Sequence, residues 1–179
     1  LESVEKIVKK SKEAADKVIL EASCRHTRLT RKFKFIKDII DSGKLGEIYH
    51  IHHNHLQRYT FIEWNYKGAW AMNKKLGGGG PFIDLGVYDL SFHLGLLNDK
   101  PELVSVQSFT RNDLRDMSKL VPFSDIEQHG AAWLTFSEGL TYYYERGSGV
   151  HGETSNVTRF YGTKGGLQFQ FRSLDSDEV

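Results

Sequence analysis

The chain has 179 residues, 39% of them hydrophobic and 12% aromatic, which is enough apolar surface for a packed core and excludes a disordered polar segment. Its 24 Lys and Arg against 23 Asp and Glu leave a net charge of +1, which excludes the basic stripe of a nucleic-acid or anionic-membrane binder. No apolar run approaches the roughly 20 residues of a membrane span, and the single Cys24 excludes an internal disulfide, so a cytoplasmic protein with a small neutral or modestly charged partner is the expectation.

Glu2, Glu5 and Glu13 interrupt the N-terminus, which therefore has neither the apolar core of a signal peptide nor the acid-poor composition of a transit peptide. Val4, Ile7, Val8 and Ala15 recur at helical spacing over residues 3–16, with Ser3 as the expected N-cap. The short apolar run 18–22 suits a buried parallel strand, and helix followed by strand is half of a βαβ unit. Residues 1–22 therefore read as the last helix and strand of a Rossmann-type domain, and residues 23–179 as a second domain.

In that second domain Phe35, Ile36, Ile39 and Ile40 predict a helix over 31–42 that ends at Gly43. Residues 47–56 alternate as a strand, and an aromatic stretch with Tyr59, Phe61, Trp64, Tyr66 and Trp70 follows as a candidate pocket lining. The glycine run 77–80 leads through Pro81 into a predicted helix over 84–97, closed by Asn98, Asp99 and Pro101. Strands are then expected at 103–110, 130–136, 140–145, 157–161 and 167–171, with hairpin turns at 137–139 and 162–166. The resulting class is α+β: an open, mostly antiparallel sheet with helices on one face, preceded by the Rossmann-type remnant.

The chemistry concentrates after the glycines. Glycine lets backbone approach a bound ring, and a helix start points free N–H groups at whatever sits there. Asp84, Tyr88 and Ser91 stand at i, i+4 and i+7, so one helix would carry a carboxylate, a phenol and a hydroxyl on one face, suited to several sugar hydroxyls. Spacing alone equally admits Asp84 as a helix cap and Tyr88 as a packed aromatic. His50, His52, His53 and His55 invite a metal reading, but a strand sends the first two to one face and the last two to the other. At most two ligands would converge, and no metal is expected.

Gly78-Gly79-Gly80 followed by Asp84-x-Gly86-x-Tyr88 resembles the Gly-Gly-Gly-x-x-x-Asp-x-Gly-x-His/Tyr signature of the glucose-fructose oxidoreductase, inositol dehydrogenase and rhizopine catabolism family. Residues 40–48 resemble that family's helix-to-strand junction and residues 160–167 its late hairpin. The resemblance implies a C-terminal domain like that of dihydrodipicolinate reductase, from an enzyme that oxidises a sugar, polyol or related diol by hydride transfer to NAD or NADP. It implies Asp84 and Tyr88 as the catalytic pair in this half, and Trp70, Gly79, Gly80 and Ser91 as substrate contacts. It also implies Arg28, after the last nucleotide-domain strand, as a cofactor contact, and a homo-oligomer formed through the sheet.

Two departures qualify these roles. Tyr88 stands where most members have His, and a phenol near pKa 10 is a poorer base than an imidazole near 6.5, so Tyr88 is expected to orient substrate. Ser91 stands where Asp is frequent. The family's Glu-Lys-Pro motif, whose lysine moves the proton, would by resemblance lie upstream of Leu1, as would most of the cofactor site, and the chain after Val179 reads as short of the family's closing helices. The 179 residues by themselves are thus expected to be inert, and the alternative is a non-catalytic sugar-binding or sheet-mediated dimerisation module.

Overall fold

The structure, a computed structural model, describes residues 2–14, 17, 23–60, 70–116 and 121–170. Helix α1 spans Glu2–Glu13, which includes Ser3 in its first turn. The expected strand 18–22 lies outside the described residues, as do Phe61, Trp64 and Tyr66 of the aromatic stretch.

A 3₁₀ segment, Ser23–Leu29, leads into α2, Arg31–Asp41. Thr30 caps α2 with its hydroxyl accepting from the Phe33 N–H. Gly43, at φ +71°, follows the helix end. Strand β1 is Ile48–Gln57. Two single-turn helices come next, α3 at Lys74–Gly77 and α4 at Pro81–Asp84, and then α5 at Gly86–Leu96. Asn98 and Asp99, both at positive φ, end this helical region. Strands β2 (Leu103–Arg111), β3 (His129–Phe136), β4 (Thr141–Ser148), β5 (Ser155–Gly162) and β6 (Gly166–Phe169) complete the order.

The six strands form one sheet in the order β2-β3-β4-β1-β5-β6. Every pairing is antiparallel except β1 with β4, which is parallel. The α+β expectation of an open, mostly antiparallel sheet therefore holds. Parallel neighbours cannot be joined by a tight turn, and the long path from β1 to β4 carries α3, α4, α5, β2 and β3.

Alternation in the strands decides which face is covered. Ile51 of β1, Tyr142 and Tyr144 of β4, Phe160 of β5 and Phe169 of β6 point to one side. They meet Ile36 of α2 and Phe92 and Leu96 of α5 in the main core. Phe33 packs edge-on against Phe92, which joins the two helices above the sheet. Each such fully buried apolar side chain contributes about 1.5–3 kcal/mol. The opposite face bears His50, His52, Trp133, Tyr143 and Tyr161, and Trp133 remains 46% exposed.

Candidate functional site

The glycine run forms a tight corner for two separate reasons. Gly78 has φ +89°, a region that L side chains rarely adopt. A Cβ on Gly80 would stand 2.2 Å from the carbonyl oxygen of Glu127, so the corner is pressed against the segment that enters β3. The Glu127 carboxylate accepts from the Gly80 N–H at 2.9 Å and from the Phe82 N–H at 3.1 Å. Asp125 does the same for the Lys74 N–H at 2.6 Å. The expectation that this helix start offers free N–H groups to a ligand is thus corrected: a carboxylate of the chain itself takes them.

Beside the corner lies a cavity of about 90 Å³. Trp70, Gly79, Gly80 and Asp84 all border it. Met72 and Ile126 are buried apolar parts of its wall, and Gln57 and Ser148 supply polar groups. Gln57 and Ser148 are register partners at the ends of the parallel pair β1 and β4, so the cavity opens off the C-terminal ends of those two strands. The Ser148 hydroxyl donates to the Tyr59 carbonyl. Gln57 also borders a second, larger cavity of about 570 Å³ with His55, Tyr59, Ser155 and Asn156. In that region Ser155 Oγ and Asn156 Oδ1 are buried without a hydrogen-bond partner among the described residues.

Asp84 is exposed and ends α4, while Tyr88 and Ser91 belong to α5. Leu85, at φ −111°, separates the two helices. The expected single face of Asp84, Tyr88 and Ser91 is therefore broken by one residue. Tyr88 packs edge-on against His26 of the 3₁₀ segment, with ring centroids 5.6 Å apart. Ser91 accepts from Arg28 Nε at 3.2 Å. Arg28 also forms a two-pronged pair with Asp99, at 2.6 and 2.9 Å, which holds the Asp99 carboxyl below its ordinary range. Tyr88, Ser91 and Arg28 do not border the cavity.

Beneath α5 lies a polar cluster that sequence reasoning missed. Asp89 is fully buried and accepts from Tyr144 Oη at 2.9 Å and from Arg146 Nε at 2.9 Å and Nη2 at 3.3 Å. His53 Nε2 stands 3.4 Å away without hydrogen-bond geometry. Burial alone would raise the Asp89 carboxyl, but His53 and Arg146 hold it well below the usual carboxylate range. One turn further along, His93 joins Tyr142 of β4 at 2.6 Å and Thr158 of β5 at 3.2 Å. Thr158 in turn meets His53 Nδ1 at 2.9 Å. Burial holds His93 well below its ordinary pKa, and therefore neutral. Among the described residues no group of three or more His, Cys, Asp or Glu converges as a metal site would require.

A family model described as GFO/IDH/MocA C-terminal domain matches residues 33–168. Myo-inositol 2-dehydrogenase from Lactobacillus plantarum superposes with a TM-score of 0.71 at 19% identity, covering 94% of this chain and 47% of its own. Scyllo-inositol dehydrogenase from Lactobacillus casei, solved with NAD(H) and scyllo-inositol, gives 0.68 at 20% identity over 94% and 46%. An aldose-aldose oxidoreductase from Caulobacter crescentus, solved with glycerol, gives 0.63 at 23% identity over 80% and 39%. The chain thus spans less than half the length of these solved structures, and at these identities they show the shared fold. No curated protein sequence matches the chain.

Proposed function

The chain belongs to the GFO/IDH/MocA family, as the match over residues 33–168 shows, and on that premise we propose that it is the substrate-binding part of an NAD- or NADP-dependent oxidoreductase acting on a sugar, polyol or related diol. The carrying observation is the meeting of Asp84 and Trp70 with the glycine corner in one cavity. An exposed carboxylate accepts hydrogen bonds from substrate hydroxyls, and the ring of Trp70 can cover the C–H face of a sugar. Gln57 and Ser148 add polar groups on the strand side, and the larger cavity across Gln57, bordered by Ser155 and Asn156, leaves room for further hydroxyls. Tyr88, beside His26, would then orient whatever lies between α5 and the 3₁₀ segment.

The described residues do not fit the phosphates of a dinucleotide. Of the N–H groups at the glycine corner, those of Gly80 and Phe82 are taken by Glu127 and those of Gly77 and Gly78 by the carbonyls of Asn73 and Lys74, and the negative charge of Glu127 would oppose a pyrophosphate there. Arg28 is committed to Asp99. In this reading NAD or NADP is held by a separate dinucleotide-binding domain, of which residues 1–22 are the final helix and strand, and residues 23–179 form the substrate domain. A bound dinucleotide would supply the hydride acceptor.

The same reading makes the uncovered sheet face, with Trp133 and Tyr161, the contact between copies of a homo-oligomer in the cytoplasm. Among the described residues no helix is long and apolar enough to cross a membrane.

Two measurements test the proposal. NADH and NADPH are titrated, by fluorescence, against this chain and against the protein extended upstream through a dinucleotide-binding domain; binding by the extended protein alone supports the reading, and binding by neither favours a non-catalytic sugar-binding or dimerisation module. In the extended protein Asp84→Ala should abolish turnover and leave cofactor affinity nearly unchanged. Unaltered turnover would remove Asp84 from the site.

A further inference from the structure

Asp84 ends a helix of four residues, far too short to hold an orientation by its own hydrogen bonds. Its direction must be set by what grips the two ends of that turn. Glu127 grips the first end through the Gly80 and Phe82 N–H groups. The second end turns at Leu85, and one buried side chain packs on the Phe82 ring before that turn and lies under Gly86 after it.

That side chain is Tyr144, only 2% exposed. Its ring meets Phe82 of α4 edge-on, with centroids 5.3 Å apart. Its hydroxyl lies under Gly86, where an added Cβ would fall 2.7 Å from the oxygen and 3.5 Å from the ring carbon that bears it. The same hydroxyl donates to Asp89, whose carboxylate is also held through both oxygens by Arg146. The other face of the ring stacks on His53, at 5.4 Å and 13°. Burial raises the Tyr144 phenol far above its ordinary pKa, so it stays a donor at every physiological pH.

We propose that Tyr144, clamped by Asp89 and Arg146, is the positioning residue that sets the elbow at Leu85 and thereby aims the Asp84 carboxylate into the cavity. The inference rests on the reading of Asp84 as a substrate contact. It also accounts for glycine at position 86: the elbow sits so close to the phenol oxygen that any side chain would have to displace it.

The test compares Tyr144→Phe with Phe160→Leu, a core change on β5, in the full chain, using the side-chain carboxyl ¹³C resonance of Asp84 and amide hydrogen exchange in α4. Both variants are expected to lower the melting temperature. Only Tyr144→Phe should move the Asp84 resonance and speed α4 exchange, by about tenfold or more for the loss of one buried anchoring bond. Gly86→Ala supplies the second arm. With tyrosine at 144 the new methyl meets the hydroxyl, whereas with phenylalanine its nearest neighbour is a ring carbon at ordinary contact distance. Gly86→Ala should therefore be strongly destabilising alone and largely rescued in the Gly86→Ala/Tyr144→Phe double variant. Equal movement of Asp84 in Phe160→Leu and Tyr144→Phe, or additive losses in the double variant, would overturn the proposal. None of these signals depends on turnover, so an active Asp84→Ala enzyme would sink the functional reading of Asp84 while leaving the elbow standing.

Discussion

Strand β1 places two histidines on each face of the sheet, and the two pairs live in opposite conditions. His53 and His55 point under the helices, where both are buried. His50 and His52 lie on the uncovered face, partly exposed, among Trp133, Tyr161 and Tyr143. The covered face thus builds part of its core from charge and hydrogen bonds: Asp89, Arg146, His53, His93 and Thr158 are all buried between α5 and the sheet. Such a layer is costly to desolvate but fixes one geometry, because a slip of α5 by one residue would leave its charges unpaired. The uncovered face has a smaller polar group, Glu145 held by His129 and Asn54, and beside it the rings and imidazoles form a surface that a partner could cover.

The largest expected effect breaks the covered side of this contrast. Arg146→Ala would leave the Asp89 carboxylate buried without its cation, which costs about 3–5 kcal/mol. On the other face Arg159, hydrogen-bonded to Gln168 near the sheet edge, should change stability by no more than about 0.5 kcal/mol when replaced by alanine. Urea unfolding of the two variants measures the difference. Equal losses would mean that the buried pair does not carry the covered face.

A smaller effect follows from acidification. His93 is neutral in the fold because burial holds its pKa well below 6.5, whereas in the unfolded chain it binds a proton near that value. The unfolded state therefore takes up more protons as pH falls, so stability drops below about pH 6.5, and by roughly 2 kcal/mol between pH 7 and pH 5 for this one group. His50 and His52 are lowered in the same sense, mainly by burial, and add to the slope. Asp89 works in another window: its carboxyl is held below the unfolded value, so its contribution is complete above about pH 4 and fades only in stronger acid. Replacing His93 by Gln should remove most of the slope between pH 7 and 5. A slope that persists in full would assign it to the open-face histidines.

How far these features can be read from the residues depends on whether the signal is local. The helix over 31–41 and the alternation of β1 are visible because each element carries its own period. The end of β4 is not: the strand is expected over 140–145, yet it runs to Ser148, with Arg146 buried against Asp89, 57 residues earlier. The cavity follows the same division. Asp84, Trp70 and the glycines announce themselves in one stretch, and the structure brings them together. Gln57 and Ser148 join them only through a parallel pairing that no local pattern shows. Glu127 reaches Gly80 across 47 residues, and nothing in the acidic pair Asp125 and Glu127 marks them as anchors for two helix starts.

The smallest expected effect sharpens the other side of the comparison. Trp133 stacks on His50, with ring centroids 5.4 Å apart and planes 25° from parallel, and remains nearly half exposed. Replacing it by Glu removes little internal packing, so the unfolding free energy of the single chain should fall by about 1 kcal/mol or less. If copies meet through this face, the same change would bury a carboxylate beside the facing rings, and self-association measured by sedimentation equilibrium should weaken by about tenfold or more, equivalent to about 1.4 kcal/mol. Association that survives Trp133→Glu would place the contact elsewhere, and the exposed aromatic face would then have no role in joining copies of this chain.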